Sequence, residues 1–195
     1  MPSYDQIRNI GFFVLFLIVG LTPKVLCGNS SFFDDFRQGN WRFELVGGSG
    51  LSTGGKADRK GDYYFAGSLE YGWTIYKSRT DVGIRVYPGL VYYQDKNDKG
   101  ENDWVYAAAL GPLMRQYRKI SHEGFYWELG VSPLWNSHLF RRNASRWNFL
   151  SEIGVGYKFD SNWHIAFKFQ HISNANTRTP NEGVNALALC LGFTF

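Results

Sequence analysis

Cysteine is scarce in this sequence. Cys27 and Cys190 are the only two, and Cys27 ends an N-terminal segment that reads as removable. With one cysteine left, no intramolecular disulfide framework can form. No cluster of His, Cys, Asp and Glu has metal-ligand spacing, which argues against a metal centre. Charged residues make up only 19% of the chain and no block of Lys or Arg stands out, so nothing suggests a nucleic-acid groove. The net charge of +4 and the pI near 9.0 are mild and suit an anionic membrane surface equally well. Helical periodicity is missing from residue 40 onward. The apolar run 10–21 is too short to cross a bilayer comfortably as a helix.

Glycine and aromatics are plentiful. The chain has 22 Gly, and 18% of its residues are Phe, Trp or Tyr, a composition that favours strands. Residues 1–28 have the form of a secretory signal: Arg8 supplies positive charge, 10–21 is the apolar core, and Val25 and Cys27 occupy small-residue positions of a cleavage site. The expectation is a cleaved signal over 1–28 and a mature domain over 29–195. A lipid-modified Cys27 fits less well, because Lys24 and the bulky Leu26 precede it. A polar lead-in carrying Phe32, Phe33 and Phe36 follows the signal.

Eight segments then alternate with period two, over 40–48, 62–76, 81–93, 102–118, 122–134, 145–158, 162–172 and 184–195. The alternation is clearest at the end, where Leu187, Leu189, Leu191, Phe193 and Phe195 share one face and Ala186, Ala188, Cys190, Gly192 and Thr194 the other. The connections are too short for crossover helices, so the strands are antiparallel. The fold class expected is all-β, an eight-stranded antiparallel transmembrane β-barrel. Arg42, Glu44, Glu70, Arg85, Glu128, Glu152, Lys158 and Lys168 would fill its lumen as paired ions, since a barrel this small leaves no pore. A soluble barrel such as a lipocalin would reverse inside and outside, and parity alone does not separate the two. Export, the terminal Phe195, and Trp and Tyr near strand ends favour the membrane form. Pro88, Pro112 and Pro133 fall inside strands, where bulges would have to absorb them. The run 102–118 alternates least clearly.

Connections 77–80, 119–121 and 159–161 are short, whereas 49–61, 94–101, 135–144 and 173–183 are long and polar. In an outer-membrane barrel the short turns face the periplasm and the long loops face outward. His171 then stands near the outer leaflet at the top of the seventh strand. Its parity matches Trp163, Ile165, Phe167 and Phe169, and Asn185 shares parity with Leu187, so both face lipid. Ser173, two residues beyond His171, falls on the same side. An imidazole within reach of a serine hydroxyl is the arrangement that activates a nucleophile, although a His-x-Ser pair alone also arises by chance at strand ends. Polar groups on a greasy wall are costly unless they serve a purpose. Arg141, Arg142 and Arg146 in the third long loop read as solvated side chains, with contact to lipid phosphates as the alternative.

The stretch His171, Ile172, Ser173, Asn174, Ala175 followed by Pro180, Asn181, Glu182, Gly183 resembles the H-x-S-N-A and P-N-x-G pattern of the PagL-type lipid A 3-O-deacylases. The sequence-level match is confined to this last quarter of the chain. The resemblance implies an outer-membrane esterase that hydrolyses the ester-linked acyl chain at the 3-position of lipid A in lipopolysaccharide, with no metal or other cofactor. It assigns Ser173 as nucleophile and His171 as general base, and it sets Asn174, Ala175 and Asn176 beside the oxyanion or substrate site. Two residues depart from the family pattern. The acidic third member of the triad falls on Asn185, with Glu182 as the nearby substitute, and Asn176 stands where Gly is usual. Replacing a triad carboxylate by its amide can lower kcat by ~10⁴ when the wrong tautomer results. The competing reading is a non-catalytic small barrel that acts through its long loops. The sequence is compatible with a homodimer as well as a monomer.

Overall fold

The structure, a computed structural model, describes residues 39–52, 58–75 and 78–195. The expected signal and the lead-in after it lie outside the described residues. Eight strands form one closed antiparallel barrel: β1 Asn40–Leu51, β2 Tyr63–Thr74, β3 Thr80–Gln94, β4 Asp103–Tyr117, β5 Gly124–Asn136, β6 Trp147–Lys158, β7 Trp163–Ser173 and β8 Val184–Thr194. Each strand pairs with its sequence neighbours, and β1 closes on β8 through a register running from Arg42↔Thr194 to Leu51↔Asn185. Closure leaves no free sheet edge.

Alternating side chains decide which way the barrel faces. Glu44, Arg115, His164 and Lys168 are each 0% exposed, whereas Phe65, Phe125 and Trp147 are more than 60% exposed. The charged face is therefore the inside, which rules out the lipocalin arrangement. Lys168 Nζ reaches Glu44 at 2.7 Å and Glu128 at 2.6 Å, while Arg115 reaches Glu70 at 2.7 Å and Glu128 at 2.6 Å. Arg85 joins the same four-acid network through Glu70 and Glu152. Burying a charge without partners costs several kcal/mol or more, so the network holds together as a unit. Tyr87 and Gln170 extend it with hydrogen bonds to Glu152. Arg115 belongs to this network but escapes a hydropathy reading, because its inward neighbours on β4 are Ala107, Ala109 and Gly111. The burial of β4 nevertheless alternates strictly.

The three strand prolines are absorbed in two ways. At Pro88 the β3–β4 register shifts between Tyr87 and Leu90, a bulge as expected. Pro112 and Pro133 sit in no bulge. The β4–β5 ladder stops at Ala109↔Leu134 and resumes in the same register at Leu113↔Gly130. Proline has no N–H to donate, so both prolines occupy this gap. Gly111 makes the close passage there possible, since a Cβ on it would stand 2.1 Å from the Val131 carbonyl oxygen.

Short turns at one end join β2 to β3, β4 to β5 and β6 to β7, and the four long connections gather at the other. The long loops fold over the lumen. Phe140 is fully buried against Tyr92, with ring centroids 5.4 Å apart, and Gln94 accepts a hydrogen bond from Arg141 N and donates to Leu139 O. Arg141 and Arg142 are not simply solvated. Arg141 pairs with Asp62 at 3.3 Å and donates to Asp58 O, and Arg142 pairs with Glu182 at 2.5 Å. Arg146 is exposed.

Candidate active site

The outward face of β6, β7 and β8 carries residues in cross-strand rows. In the middle of the wall the rows are apolar: Val155, Phe167 and Leu189 line up, then Ile153, Phe169 and Leu187. The next row toward the long loops is polar, with Ser151, His171 and Asn185 in register across the three strands. One step further, Ser173 pairs with Phe149. A polar row thus caps an apolar wall at the long-loop rim. Ser151 interrupts the outward apolar series of β6, and only its register with His171 marks it.

His171 is held from two directions. Its Nδ1 lies 2.6 Å from Asn185 Oδ1. With that oxygen as acceptor, Nδ1 carries the proton and Nε2 keeps its lone pair, which is the tautomer a general base needs. Gly183 then leaves room for the ring. A Cβ at that position would stand 2.4 Å from His171 Cε1 and 3.2 Å from either ring nitrogen. The glycine of the P-N-x-G motif therefore provides the floor on which the imidazole lies. Ser173 is half-buried on the same face. Its relation to His171 rests on strand register, while the His171–Asn185 bond is formed.

The chain reverses immediately after Ser173. Ala175 and Asn176 have φ of +51° and +61°, and Thr177 N donates to Asn174 O at 3.0 Å. Two left-handed central residues with this bond are the pattern of a type I′ turn. Asparagine tolerates the left-handed region better than most residues, so Asn176 replaces the usual glycine without breaking the turn. Its Oδ1 also accepts a hydrogen bond from Asn181 Nδ2 at 2.9 Å.

Asn181 is a hub that lay unmarked inside the motif. Besides the bond to Asn176, its Oδ1 accepts the backbone N–H of Asn174 at 2.9 Å. The side chain of Asn174 turns away from the membrane face and is fully buried. Its Nδ2 donates to Asn143 Oδ1, Arg178 O and Pro180 O. Those donors are engaged within the loop, so Asn174 shapes the turn from inside. Glu182, the alternative acid, directs Oε1 to Arg142 Nε, whereas Asn185 occupies the Nδ1 side of His171.

His122, His138 and His164 have partners elsewhere, His138 at the Trp104 carbonyl. His164 binds Glu44 in the lumen at 3.0 Å, and His122 sits in a short turn against Asp81. Among the described residues no group of His, Cys, Asp and Glu is arranged to hold a metal.

Comparison with known proteins places the chain in a family. Lipid A deacylase PagL of Bordetella bronchiseptica is 29% identical over 94 residues, 47% of this chain and 51% of that protein. The chain thus spans about half the length of this curated relative. The crystal structure of the outer membrane enzyme PagL superposes with a TM-score of 0.59, covering 78% of this chain and 98% of that one. At 16% identity, this likeness concerns the fold. The family model described as Lipid A 3-O-deacylase (PagL) matches residues 29–194, all eight strands and the loop between Ser173 and Asn185 included, and on that match the chain belongs to the lipid A 3-O-deacylase (PagL) family.

Proposed function

We propose that this barrel sits in the outer membrane after export under the signal at 1–28 and hydrolyses the 3-O-linked acyl ester of lipid A in the outer leaflet. The observation that carries the reading is the His171–Asn185 hydrogen bond, formed beside Ser173 at the rim of a wall whose middle rows are apolar. A substrate whose acyl chains already lie in the membrane reaches such a site sideways. The long-loop end is the outer end in this reading.

Ser173 Oγ attacks the ester carbonyl while His171 Nε2 takes its proton. Backbone N–H groups of Ala175 and Asn176, on the turn directly after the nucleophile, are the donors for the developing oxyanion. Collapse of the tetrahedral intermediate expels the sugar alkoxide, which takes the proton back from His171. Water then enters and gives a proton to His171 as its oxygen attacks the acyl carbonyl, and collapse releases the fatty acid while Ser173 Oγ takes that proton back. The side chains in this scheme need no metal or other cofactor. Asn185 fixes the tautomer but brings no charge to the imidazolium. His171, Ser173 and Asn185 come from one chain, so the scheme calls for no homodimer.

The direct test is release of free fatty acid from purified lipid A by the detergent-solubilised barrel. Wild type yields fatty acid and Ser173→Ala does not. Equal release by both would remove Ser173 from the reaction.

A further inference from the structure

One buried side chain ties the loop after Ser173 to the rest of the barrel without facing the membrane. Asn143, in the loop between β5 and β6, is 1% exposed. Its Oδ1 accepts from Asn174 Nδ2 at 3.2 Å and from Ser145 N at 3.1 Å, and its Nδ2 donates to Asn148 Oδ1 at 2.8 Å. Asn148 in turn donates to Asn136 Oδ1 at 2.8 Å, and Asn136 donates to His138 O. The main chain makes a second link. Asn143 forms an antiparallel bridge with Asn181, the hub that holds Asn174 and Asn176, and Ala144 N donates to Pro180 O at 2.9 Å. Asn143 therefore meets the nucleophile loop by side chain at Asn174 and by backbone at Asn181.

The chemistry of this position calls for an amide. One end must accept two hydrogen bonds and the other must donate one, at a position only 1% exposed to solvent. A leucine of similar size offers neither, and an aspartate keeps only the accepting end. Buried polar chains of this kind are rigid when every link is made and costly when one is missing. Asn143 also opens an Asn-x-Ser sequence, Asn143-Ala144-Ser145, that would pass for a glycosylation site. Its burial turns that match into a structural joint.

We infer that Asn143 is a positioning residue of the hydrolytic site. It fixes the Asn174–Thr177 turn so that the Ser173 hydroxyl and the backbone donors after it share one geometry. The inference rests on Ser173 being the nucleophile, and its test separates the two claims. Diisopropyl fluorophosphate reports on the serine without lipid binding: Ser173 Oγ displaces fluoride from phosphorus, an O–P bond forms as P–F breaks, and His171 takes the hydroxyl proton. Labelling rates at Ser173 are followed by peptide mass spectrometry, with the heat-modifiable gel migration of the folded barrel as control. Asn143→Leu is expected to slow labelling by ~10²-fold, the scale of a displacement of about 1 Å at a reacting group. Asn143→Asp recovers part of the rate, and Asn148→Ala, which cuts the chain one link further out, slows it less. Wild-type labelling in a folded Asn143→Leu barrel overturns the inference, as does an Asn143→Asp rate no higher than that of Asn143→Leu. Should Asn143→Leu fail to fold, Asn148→Ala decides, and an unchanged rate there overturns the inference. A wild type that is never labelled at Ser173 overturns the nucleophile assignment itself.

Discussion

Gly183 lies so close beneath His171 that a single added methyl would collide with the imidazole, at 2.4 Å from Cε1. His171 comes from β7, and Gly183 immediately precedes β8. The ring cannot lean away freely, because Nδ1 is committed to Asn185. Gly183→Ala is therefore expected to displace the His171 ring, the base of the proposed reaction, rather than disturb the fold. Its expected effect is a fall in deacylation rate of ~10²-fold with the barrel still heat-modifiable on gels. An unchanged rate would mean that the ring position is not critical.

Asn185 sets the second prediction. In the proposed reaction it supplies the acceptor that selects the tautomer, which is expected to avoid most of the penalty for losing a triad carboxylate. What it lacks is charge opposite the imidazolium. A hydrogen bond to a charged group is worth roughly 1 kcal/mol more than a neutral one, which corresponds to about a fivefold to tenfold rate difference. Asn185→Glu should raise kcat by about that factor, and Asn185→Leu, which removes the acceptor, should nearly abolish turnover. Steady-state kinetics on both variants check this. A loss of activity in Asn185→Glu would show that the amide is the better partner here.

The turn after Ser173 makes a third. Ala175 holds a φ of +51° with a Cβ present, at a cost of roughly 1–2 kcal/mol. Ala175→Gly relieves it and should raise thermal stability by about 1 kcal/mol. Asn176→Gly accepts the same backbone angle but forfeits the hydrogen bond from Asn181, so it should lower stability or leave it level. Paired unfolding measurements on the two variants separate backbone strain from side-chain bonding. Destabilisation by Ala175→Gly would contradict the strain account.

Much of the molecule was legible in its residues because a barrel encodes inside and outside at every second position. Parity put His171 and Asn185 on one face before their pairing was known, and the register of β7 on β8 made them direct neighbours. Parity fails where the inward residues are small. Arg115 was hidden that way on β4, among Ala107, Ala109 and Gly111. The gap around Pro112 and Pro133 was equally silent, since it depends on two strands losing the same ladder positions. In the loops there is no period to read. The contact of Asn143 with Asn174 spans 31 residues and follows only from the folded arrangement of two loops. The pairing of Glu182 with Arg142 illustrates the same limit, since it joins two loops that only the fold brings together.

His122 gives a fourth prediction, at the end with the short turns. Burial alone pulls its pKa down, but the Asp81 carboxylate, 2.9 Å from Nδ1, and the hydrogen bond to the Ser78 carbonyl outweigh that, and the net direction is upward. A histidine whose folded pKa is raised contributes stability that is fully present below its unfolded pKa, about 6.5. That contribution is lost as pH rises through the folded value. Wild type should therefore lose stability relative to His122→Gln between about pH 6.5 and the higher folded value. A constant difference between the two proteins across that window would contradict the assignment.

The central claim is that Ser173, with His171 and Asn185, removes an acyl chain from lipid A at the outer rim of the barrel. Mass spectrometry of lipid A from cells expressing wild type or Ser173→Ala tests it most directly. The account predicts that wild type produces lipid A lighter by one ester-linked acyl chain, and that Ser173→Ala, at equal levels of folded barrel, leaves it intact. Identical acyl patterns in the two strains would contradict it.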